Sequence, residues 1–378
     1  MNPVYRKLAK RLDTFPQGFP STPSGVELRI LEKIFSPEDA DTALRLKLLP
    51  ESVPAIARRL KRPVDETRQT LERMAGLGQI MSMNVRGRRR FMLAPFVVGI
   101  YEFQLPRMDR ELAELFEQYA PTLLASLGGH EPPLARVVPV HRHIDAKAEI
   151  LRYENLQEMM QGARSFRVSD CVCRLEKAAL GEPCRHTVET CLSFSRSRSA
   201  YDNHQPWGRA IEKAEAFDIL ARCEDEGLVH CTYNLQHDNL FVCNCCECCC
   251  GFLRGIREFG APNLLVSSNF VARIDEESCA QCGVCADQRC PMEAIDELDD
   301  VYSVNSERCI GCGVCAVDCP TDAITLESRP EESRTAPPAN LVAWSFQRAL
   351  NSAGPVRTLT RFGGLTLSAM RARRDTRE

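Results

Sequence analysis

The sequence predicts an α+β protein built from three successive domains and a tail. Three observations support this prediction. Amphipathic helical periodicity dominates the first hundred residues, helical and strand-like segments alternate through the middle, and a duplicated motif near the C-terminus is followed each time by a short apolar stretch. The expected parts are an N-terminal helical domain (1–105), a cysteine-rich mixed α/β domain (106–265), a domain built on the duplicated motif (266–328) and a tail (329–378).

The N-terminal domain has the element order of a winged helix. Ser36 and Pro37 begin a capped helix, further helices are expected over residues 51–60 and 64–75, and a hairpin follows around the basic wing Arg86–Arg90. Such a wing suits a phosphate backbone, which makes DNA an alternative partner. Winged helices also serve as protein-docking or structural modules, and the fold alone does not decide between these roles.

Two copies of one cysteine motif, each ending in Cys-Pro, organise the third domain. The cysteines of the first copy are Cys279, Cys282, Cys285 and Cys290, and those of the second are Cys309, Cys312, Cys315 and Cys319. Three thiolates at spacing three suit three corners of a 4Fe-4S cube, and in the bacterial two-cluster pattern the fourth cysteine of each run ligates the other cluster. We therefore expect one cluster on Cys279, Cys282, Cys285 and Cys319, and another on Cys309, Cys312, Cys315 and Cys290.

Residues from about 269 to 327 resemble two-cluster bacterial ferredoxins, which implies a ferredoxin-like fold for this domain. One departure is visible, because four residues separate Cys285 from Cys290 whereas three separate Cys315 from Cys319. The extra residue is expected to bulge the loop without removing a ligand. A disulfide framework and paired zinc sites are the alternatives, but neither explains the duplicated three-plus-one spacing.

A second cysteine system lies in the middle domain. Four sulfurs within a short stretch offer the ligands of one further 4Fe-4S cluster: Cys171, Cys173, Cys184 and Cys191. A zinc site that uses His186 is the other metal-binding interpretation, and buried inert thiols are the third. Cys223 and Cys231 stand alone in ordinary helical and strand-like segments, and we interpret them as non-ligands.

Six more cysteines follow within eight residues: Cys243, Cys245, Cys246, Cys248, Cys249 and Cys250. They cannot all bind one cube, because adjacent side chains diverge from the backbone. A subset is expected to bind metal or to complete the centre that begins at Cys171. Thiolates packed this densely repel one another unless a metal neutralises them, so metal is favoured over a free-thiol patch. One or two further iron-sulfur clusters are expected here.

Composition places these cysteines in a reducing compartment. The chain has 20 cysteines, no secretory signal and no apolar run long enough to span a bilayer. We therefore expect a cytoplasmic protein with reduced thiols and an anaerobic or microaerobic host. The net charge of −3 gives no global field that would select nucleic acid.

Taken together, the motifs resemble multi-domain 4Fe-4S dicluster proteins of anaerobic bacteria. The matching segments are Cys171–Arg174, Glu189–Phe194, Cys243–Cys250 and Cys279–Cys319. The resemblance spans most of residues 1–327 and implies an electron-transfer protein with redox partner proteins. It implies no defined substrate.

The leading interpretation is an iron-sulfur protein that relays low-potential electrons through two 4Fe-4S clusters to or from a further cysteine-ligated centre. The alternatives are a redox-responsive transcriptional regulator and a reductase with its substrate at Cys243–Cys250. No enzymatic activity is assigned, because no nucleotide-phosphate loop, flavin or nicotinamide fingerprint is evident. The tail combines an amphipathic helix over 340–350 with basic residues from Arg357 onward, which would suit a partner or an anionic membrane surface. The favoured interpretation is a disordered tail with one transient helix.

Overall fold

The computed structural model describes residues 2–85, 87–146, 148–201, 208–299 and 301–352. Helices and strands both contribute to the fold, in agreement with the α+β expectation. Within these ranges, no helix has both the length and the apolar character needed to cross a membrane. Arg86 of the wing and the basic residues after position 352 lie outside the described residues.

The helices and strands are numbered separately in chain order. The α-helices are α1 (Pro3–Leu12), α2 (Val26–Ile34), α3 (Pro37–Leu44), α4 (Val53–Leu60), α5 (Val64–Gly76), α6 (Arg110–Gly128), α7 (Leu156–Gln161), α8 (Val172–Ala179), α9 (Lys213–Asp225) and α10 (Gly251–Arg257). The strands are β1 (Met81–Val85), β2 (Arg88–Met92), β3 (Ala135–Val138), β4 (Ser165–Asp170), β5 (Glu189–Ser195), β6 (Arg209–Ile211), β7 (Val229–Tyr233), β8 (Phe241–Cys245), β9 (Leu265–Val266), β10 (Phe270–Ile274), β11 (Ile295–Leu298), β12 (Val301–Val304) and β13 (Ile324–Ser328). A further helix, here called the C-terminal helix, spans 341–352.

The N-terminal helices α1 to α5 share one hydrophobic core with α6. The expected cap of α3 is present, because the Ser36 hydroxyl accepts the backbone N–H of Asp39 at 3.1 Å and a proline follows it. The helices α4 and α5 are followed directly by the antiparallel hairpin of β1 and β2. The helix α6, which begins the segment assigned to the cysteine-rich domain, thus packs on the N-terminal core and also contacts α8 and α10.

Several cations of this region are already engaged inside the protein. Arg73 on α5 donates to Asp39 at 2.9 Å, and Arg59 on α4 donates to Glu51 at 2.8 Å. On the hairpin, Asn84 donates to the Ser199 hydroxyl at 3.3 Å, so one side of the hairpin lies against the central domain. These contacts reduce the basic surface that would remain for a nucleic acid.

The central domain is organised by a seven-stranded sheet with the order β6-β4-β5-β8-β7-β3-β9. β3 and β9 pair in parallel, and the other neighbours are antiparallel. Side chains alternate between the two faces of the sheet. Val138 on β3 and Val242 on β8 belong to a core with α7 and α9, whereas Val137 and Cys245 belong to a core shared with the C-terminal domain. The sheet therefore separates two cores, and cysteines reach both of them.

The C-terminal domain contains two antiparallel strand pairs, β10 with β13 and β11 with β12. Hydrogen bonds fasten it to the central domain. Val140 donates its backbone N–H to the carbonyl of Cys312 at 2.9 Å, and Asn269 donates its backbone N–H to the Glu154 carboxylate at 2.6 Å. Glu154 is fully buried beside Arg136 of β3, at 3.4 Å. This buried ion pair therefore connects β3 to the segment that leads into β10.

The extra residue of the first motif copy forms a π-helical turn over Cys285–Arg289, in which the Cys290 N–H bonds to the Cys285 carbonyl at 3.0 Å. The second copy has a tighter 3-10 turn over Val314–Ala316 at the equivalent place. A π turn accommodates one inserted residue without interrupting the hydrogen bonding. The expected bulge is therefore present, and Cys290 still reaches the cysteines of the second copy.

The C-terminal helix packs on the body of the protein, which differs from the favoured expectation of a disordered tail. Trp344 is buried in the N-terminal core, and its indole N–H bonds to the Pro133 carbonyl at 2.9 Å. Arg348 is 1% exposed and donates to the carbonyls of Leu127 at 2.8 Å and Pro16 at 2.8 Å. It thus caps the carboxyl end of α6, which accounts for the ordered helix.

Candidate metal centres

Four cysteines of the C-terminal domain, here called the outer set, line one cavity: Cys279, Cys282, Cys285 and Cys319. Three come from the first motif copy and Cys319 comes from the second. Cys282 is exposed and the others are half-buried. Burial raises the pKa of Cys285 to about 11, so its thiolate requires a neutralising metal at neutral pH.

Four further cysteines, here called the inner set, line a second cavity: Cys290, Cys309, Cys312 and Cys315. Three come from the second copy and Cys290 comes from the first. Cys309, Cys312 and Cys315 are each less than 10% exposed, and burial raises the pKa of Cys312 to about 12. The inner set therefore lies deeper in the protein than the outer set.

The two sets are held by equivalent backbone contacts. Cys290 accepts the backbone N–H of Ala294 at 3.1 Å, and Cys319 accepts that of Ala323 at 3.3 Å. In the loop of the inner set, Gly311 has a φ of +66°, and a Cβ there would lie 2.2 Å from the carbonyl oxygen of Phe270. Only glycine fits that position, which lets the loop close tightly around its cavity.

A different arrangement occurs in the central domain, where four thiols form a compact group, here called the sulfur quartet: Cys184, Cys246, Cys248 and Cys249. Their sulfur atoms all lie within 4.8 Å of one another. Cys184 is 3.7 Å from Cys246 and 3.6 Å from Cys248. Cys184 lies on the loop after α8 and the other three lie on the turn after β8, so the sheet brings together residues distant in sequence.

These spacings discriminate between types of metal centre. A single ion with four thiolates at about 2.3 Å in a tetrahedron holds its sulfurs roughly 3.8 Å apart. A 4Fe-4S cube carries its thiolates on four outward-facing irons, which separates them by roughly 6 Å. The sulfur quartet matches the first geometry. The outer and inner sets instead surround cavities, and neither forms a group within 4.8 Å among the described residues.

A buried cation supports the quartet. Arg174 on α8 is 1% exposed, and its guanidinium donates to the carbonyls of Thr187 at 2.5 Å and Asn244 at 2.9 Å. It also hydrogen-bonds to Cys246. Although burial opposes the charge, the nearby sulfurs of Cys171, Cys246 and Cys184 raise the pKa of Arg174. None of the described acidic side chains forms an ion pair with Arg174. Its charge is therefore balanced by the thiolates, as expected beside a thiolate-metal centre of net negative charge.

The quartet favours a single thiolate when no metal is bound. Hydrogen bonds from Cys248 and Cys249, together with Arg174, hold the pKa of Cys246 far below its usual range. The hydrogen bonds to Cys246 raise the pKa of Cys248 to about 12, and they also raise the pKa of Cys249. A bound divalent ion would displace the remaining protons, because a coordinating thiol is deprotonated outright.

The remaining cysteines of the sheet region form a second group, here called the thiol row: Cys171, Cys173, Cys191, Cys231, Cys243, Cys245 and Cys250. Hydrogen bonds link Cys191 to Cys243, Cys243 to Cys245, and Cys245 to both Cys231 and Cys250. Another links Cys171 to Cys173. The six cysteines of 243–250 thus divide equally between the quartet and the thiol row.

The structure regroups the cysteines of the central domain. Of Cys171, Cys173, Cys184 and Cys191, which the sequence suggested as the ligands of one cluster, only Cys184 belongs to the sulfur quartet. His186 is close enough to Cys246 to interact electrostatically, but it lies outside the quartet. Cys231 belongs to the thiol row, since its strand position pairs with that of Cys243. Cys223 is buried on α9 in the same core as Cys246 and Cys249, but it belongs to neither group.

Comparison with known families gives one match. Residues 302–325 match the family described as a 4Fe-4S binding domain, and this segment contains all four cysteines of the second motif copy. No curated protein and no solved structure matches the chain. The match, together with the cysteine groups, supports an iron-sulfur protein that binds 4Fe-4S clusters in its C-terminal domain.

Proposed function

We propose that this protein is an iron-sulfur electron carrier with two 4Fe-4S cubes in the C-terminal domain and a single thiolate-bound metal ion in the central domain. The observation that carries the proposal is the pair of cavities, each lined by three cysteines of one motif copy and the fourth of the other. This arrangement is the ligand pattern of a two-cluster ferredoxin. Each cube supplies one site for a single electron.

The outer and inner sets differ in how deeply they are buried, which suggests the order in which electrons pass through them. The outer set includes the exposed Cys282, so an external redox protein exchanges electrons there. The inner set is buried in the core that also contains Cys231, Cys245 and Cys250 of the thiol row. In this proposal the inner cube connects the surface to the sulfur-rich interior. The direction of flow depends on the potentials of the partners, which ferredoxin-type clusters span widely.

The sulfur quartet holds a single tetrahedral ion in this proposal, in place of one of the further clusters expected from the sequence. Iron at this site would supply a third one-electron centre, whereas zinc would be redox-inactive and would fix the turn after β8 to the loop after α8. The thiol row keeps enough sulfurs for one further cluster.

The experiment that tests the proposal is metal and sulfide analysis of anaerobically purified protein, followed by EPR during stepwise reduction. We expect about eight irons and eight sulfides in the cubes, plus one further iron or zinc, and the EPR signals of two interacting cubes. About twelve irons in cubes would place another cluster on the thiol row and leave the carrier role intact. Four or fewer irons, or no reducible cube signal, would overturn the proposal.

A pair of variants assigns the signals. Cys319→Ser is expected to abolish the signal of the outer cube, whereas Cys223→Ser, a buried thiol outside every group, should leave the iron content unchanged. Equal loss in both variants would mean that iron retention reports general folding rather than ligation.

A further inference from the structure

A cavity of about 90 Å³ lies between the N-terminal domain and the cysteine-rich domain. Phe96, Phe116 and Leu124 contribute to its apolar wall, which α6 and the segment around residues 96–102 provide. Gly251 and Phe252 at the start of α10 close the other side. The cavity is thus built by two domains and is separate from the cavities of the outer and inner sets.

The sulfur side of this cavity contains one member of each central cysteine group. Cys249 of the sulfur quartet and Cys173 of the thiol row both line it. A molecule in the cavity would therefore contact the ligand shell of the proposed metal ion and the thiol row at once. The cavities of the outer and inner sets are lined by no cysteine of the sulfur quartet or of the thiol row.

Polar groups face the same cavity. The Tyr101 hydroxyl hydrogen-bonds to the Glu176 carboxylate and lies 3.8 Å from the sulfur of Cys173. The carboxylate of Glu102 accepts the backbone N–H of Gly99 at 2.5 Å. Burial raises the pKa of both Glu176 and Glu102 to about 7, so each carboxyl is about half protonated at neutral pH. A mostly apolar pocket with a few convergent polar groups is the usual form of a small-molecule site.

We propose that this cavity binds a small, uncharged organic molecule with one oxygen-bearing polar group, such as a ketone or an alcohol. The polar group is placed at Tyr101, and the apolar part is placed against α6. A cavity of about 150 Å³ accommodates benzene, so this one suits a ligand of roughly four non-hydrogen atoms. Charged ligands are disfavoured, because apolar side chains form most of the wall and Arg254, which also lines the cavity, is already paired with Glu117 at 2.6 Å. The inference adds a ligand site to the proposed carrier and does not require either cube.

The probe for the test is acetone, which has four non-hydrogen atoms and one acceptor oxygen. Its binding to the anaerobic, metal-loaded protein is measured by ligand-observed saturation-transfer NMR. We expect saturable binding in the millimolar range, consistent with the affinity ceiling for so small a ligand. Xenon under pressure should displace acetone, because it occupies apolar cavities of this kind.

Matched variants on one helix locate the binding. Ala120 lines the cavity, whereas Ala125 is exposed on the same helix. Ala120→Leu should reduce acetone binding at least tenfold, and Ala125→Leu should leave it unchanged. If Ala120→Leu does not fold, as judged by its melting temperature and metal content, Ala120→Val provides the smaller filling change.

A second variant separates the polar contact from the cavity itself. Tyr101→Phe removes one hydroxyl and should weaken acetone about fivefold while leaving xenon binding unaltered. Acetone that binds equally to the wild type and to the cavity-filled variant would overturn the inference, as would a lack of saturable binding in the wild type. Neither outcome touches the iron and EPR results, so failure here is distinguishable from failure of the carrier proposal.

Discussion

The two cysteine regions of this protein arrange their sulfur atoms in different ways. In the C-terminal domain, short loops with cysteines at spacing three surround cavities, and their positive-φ glycines let the backbone close on them. In the central domain, the sheet brings the loop after α8 and the turn after β8 together, so that four sulfur atoms lie within 4.8 Å of one another. In the proposed function, sulfur spacing rather than cysteine number distinguishes the two cluster sites from the single-ion site.

The sharpest way to break this comparison is to remove one ligand from each region. Cys312→Ser should cost the inner cube and therefore about four irons per chain. Cys184→Ser should cost only one metal ion and leave the cube signals in place. Metal analysis and EPR of both variants measure the difference. Loss of four irons from Cys184→Ser would show that the quartet carries a cluster and that the spacing argument is wrong.

A smaller effect is expected from the cation beside the quartet. Arg174→Met removes a buried charge that balances the thiolates, so the affinity of the quartet for its ion should fall by about 10- to 100-fold in a chelator competition. Arg174→Lys keeps the charge and should fall less. The matched control is Arg185→Met, because Arg185 is largely exposed and pairs with Glu247 at 3.6 Å. Equal metal affinities in all three variants would show that Arg174 does not contribute to metal binding by the quartet.

The two cubes should also differ from each other. The outer set has an exposed cysteine, whereas three of the four inner cysteines are buried. We expect the outer cube to be destroyed several times faster by dioxygen, because oxidants reach it through less protein. Time-resolved EPR after exposure to air measures the two decays. Equal decay rates would mean that access does not follow the burial of the sulfurs.

The smallest expected effect concerns Glu102, a carboxyl group in the segment between β2 and α6. Burial raises the pKa of Glu102 from 4.5 to about 7, so between these pH values the folded protein holds a proton that the unfolded chain has lost. The free energy of unfolding therefore falls as pH rises from about 4.5 to about 7, by at most about 3 kcal/mol from this group. Glu102→Gln should flatten this fall in melting temperature between pH 5 and 7.5.

Exposed Glu72 on α5 provides the control for that measurement. Glu72→Gln should keep the pH dependence of the wild type. If Glu102→Gln and Glu72→Gln behave alike, the proton is held elsewhere.

The two regions also differ in how far sequence alone describes them. For the duplicated motif, ligand spacing is local, and three cysteines of each set lie within seven residues of one another. The sequence therefore indicates both sets, and even the bulge between Cys285 and Cys290. The α+β class follows equally well from periodicity, because helices and strands carry their own hydrophobic patterns.

The quartet could not be predicted in the same way. Cys184 and Cys246 are separated by 62 residues, and their proximity depends on the order β5-β8-β7 in the sheet. A lone cysteine on a strand, such as Cys231, has no visible partner in the sequence until the strand that pairs with it is known. The C-terminal helix is a similar case. Trp344 and Arg348 are ordinary residues of an amphipathic segment until the carbonyls at the end of α6 provide their partners.

The contacts of Arg348 have a consequence for the order in which the molecule is made. This side chain binds the carbonyl of Pro16, so a segment synthesised late completes the packing of one synthesised early. The last cysteine, Cys319, leaves the ribosome before Arg348 does. All 20 cysteines of this sequence precede Trp344, so they are synthesised before the C-terminal helix can complete the N-terminal core. The candidate metal ligands are therefore all present before that helix packs.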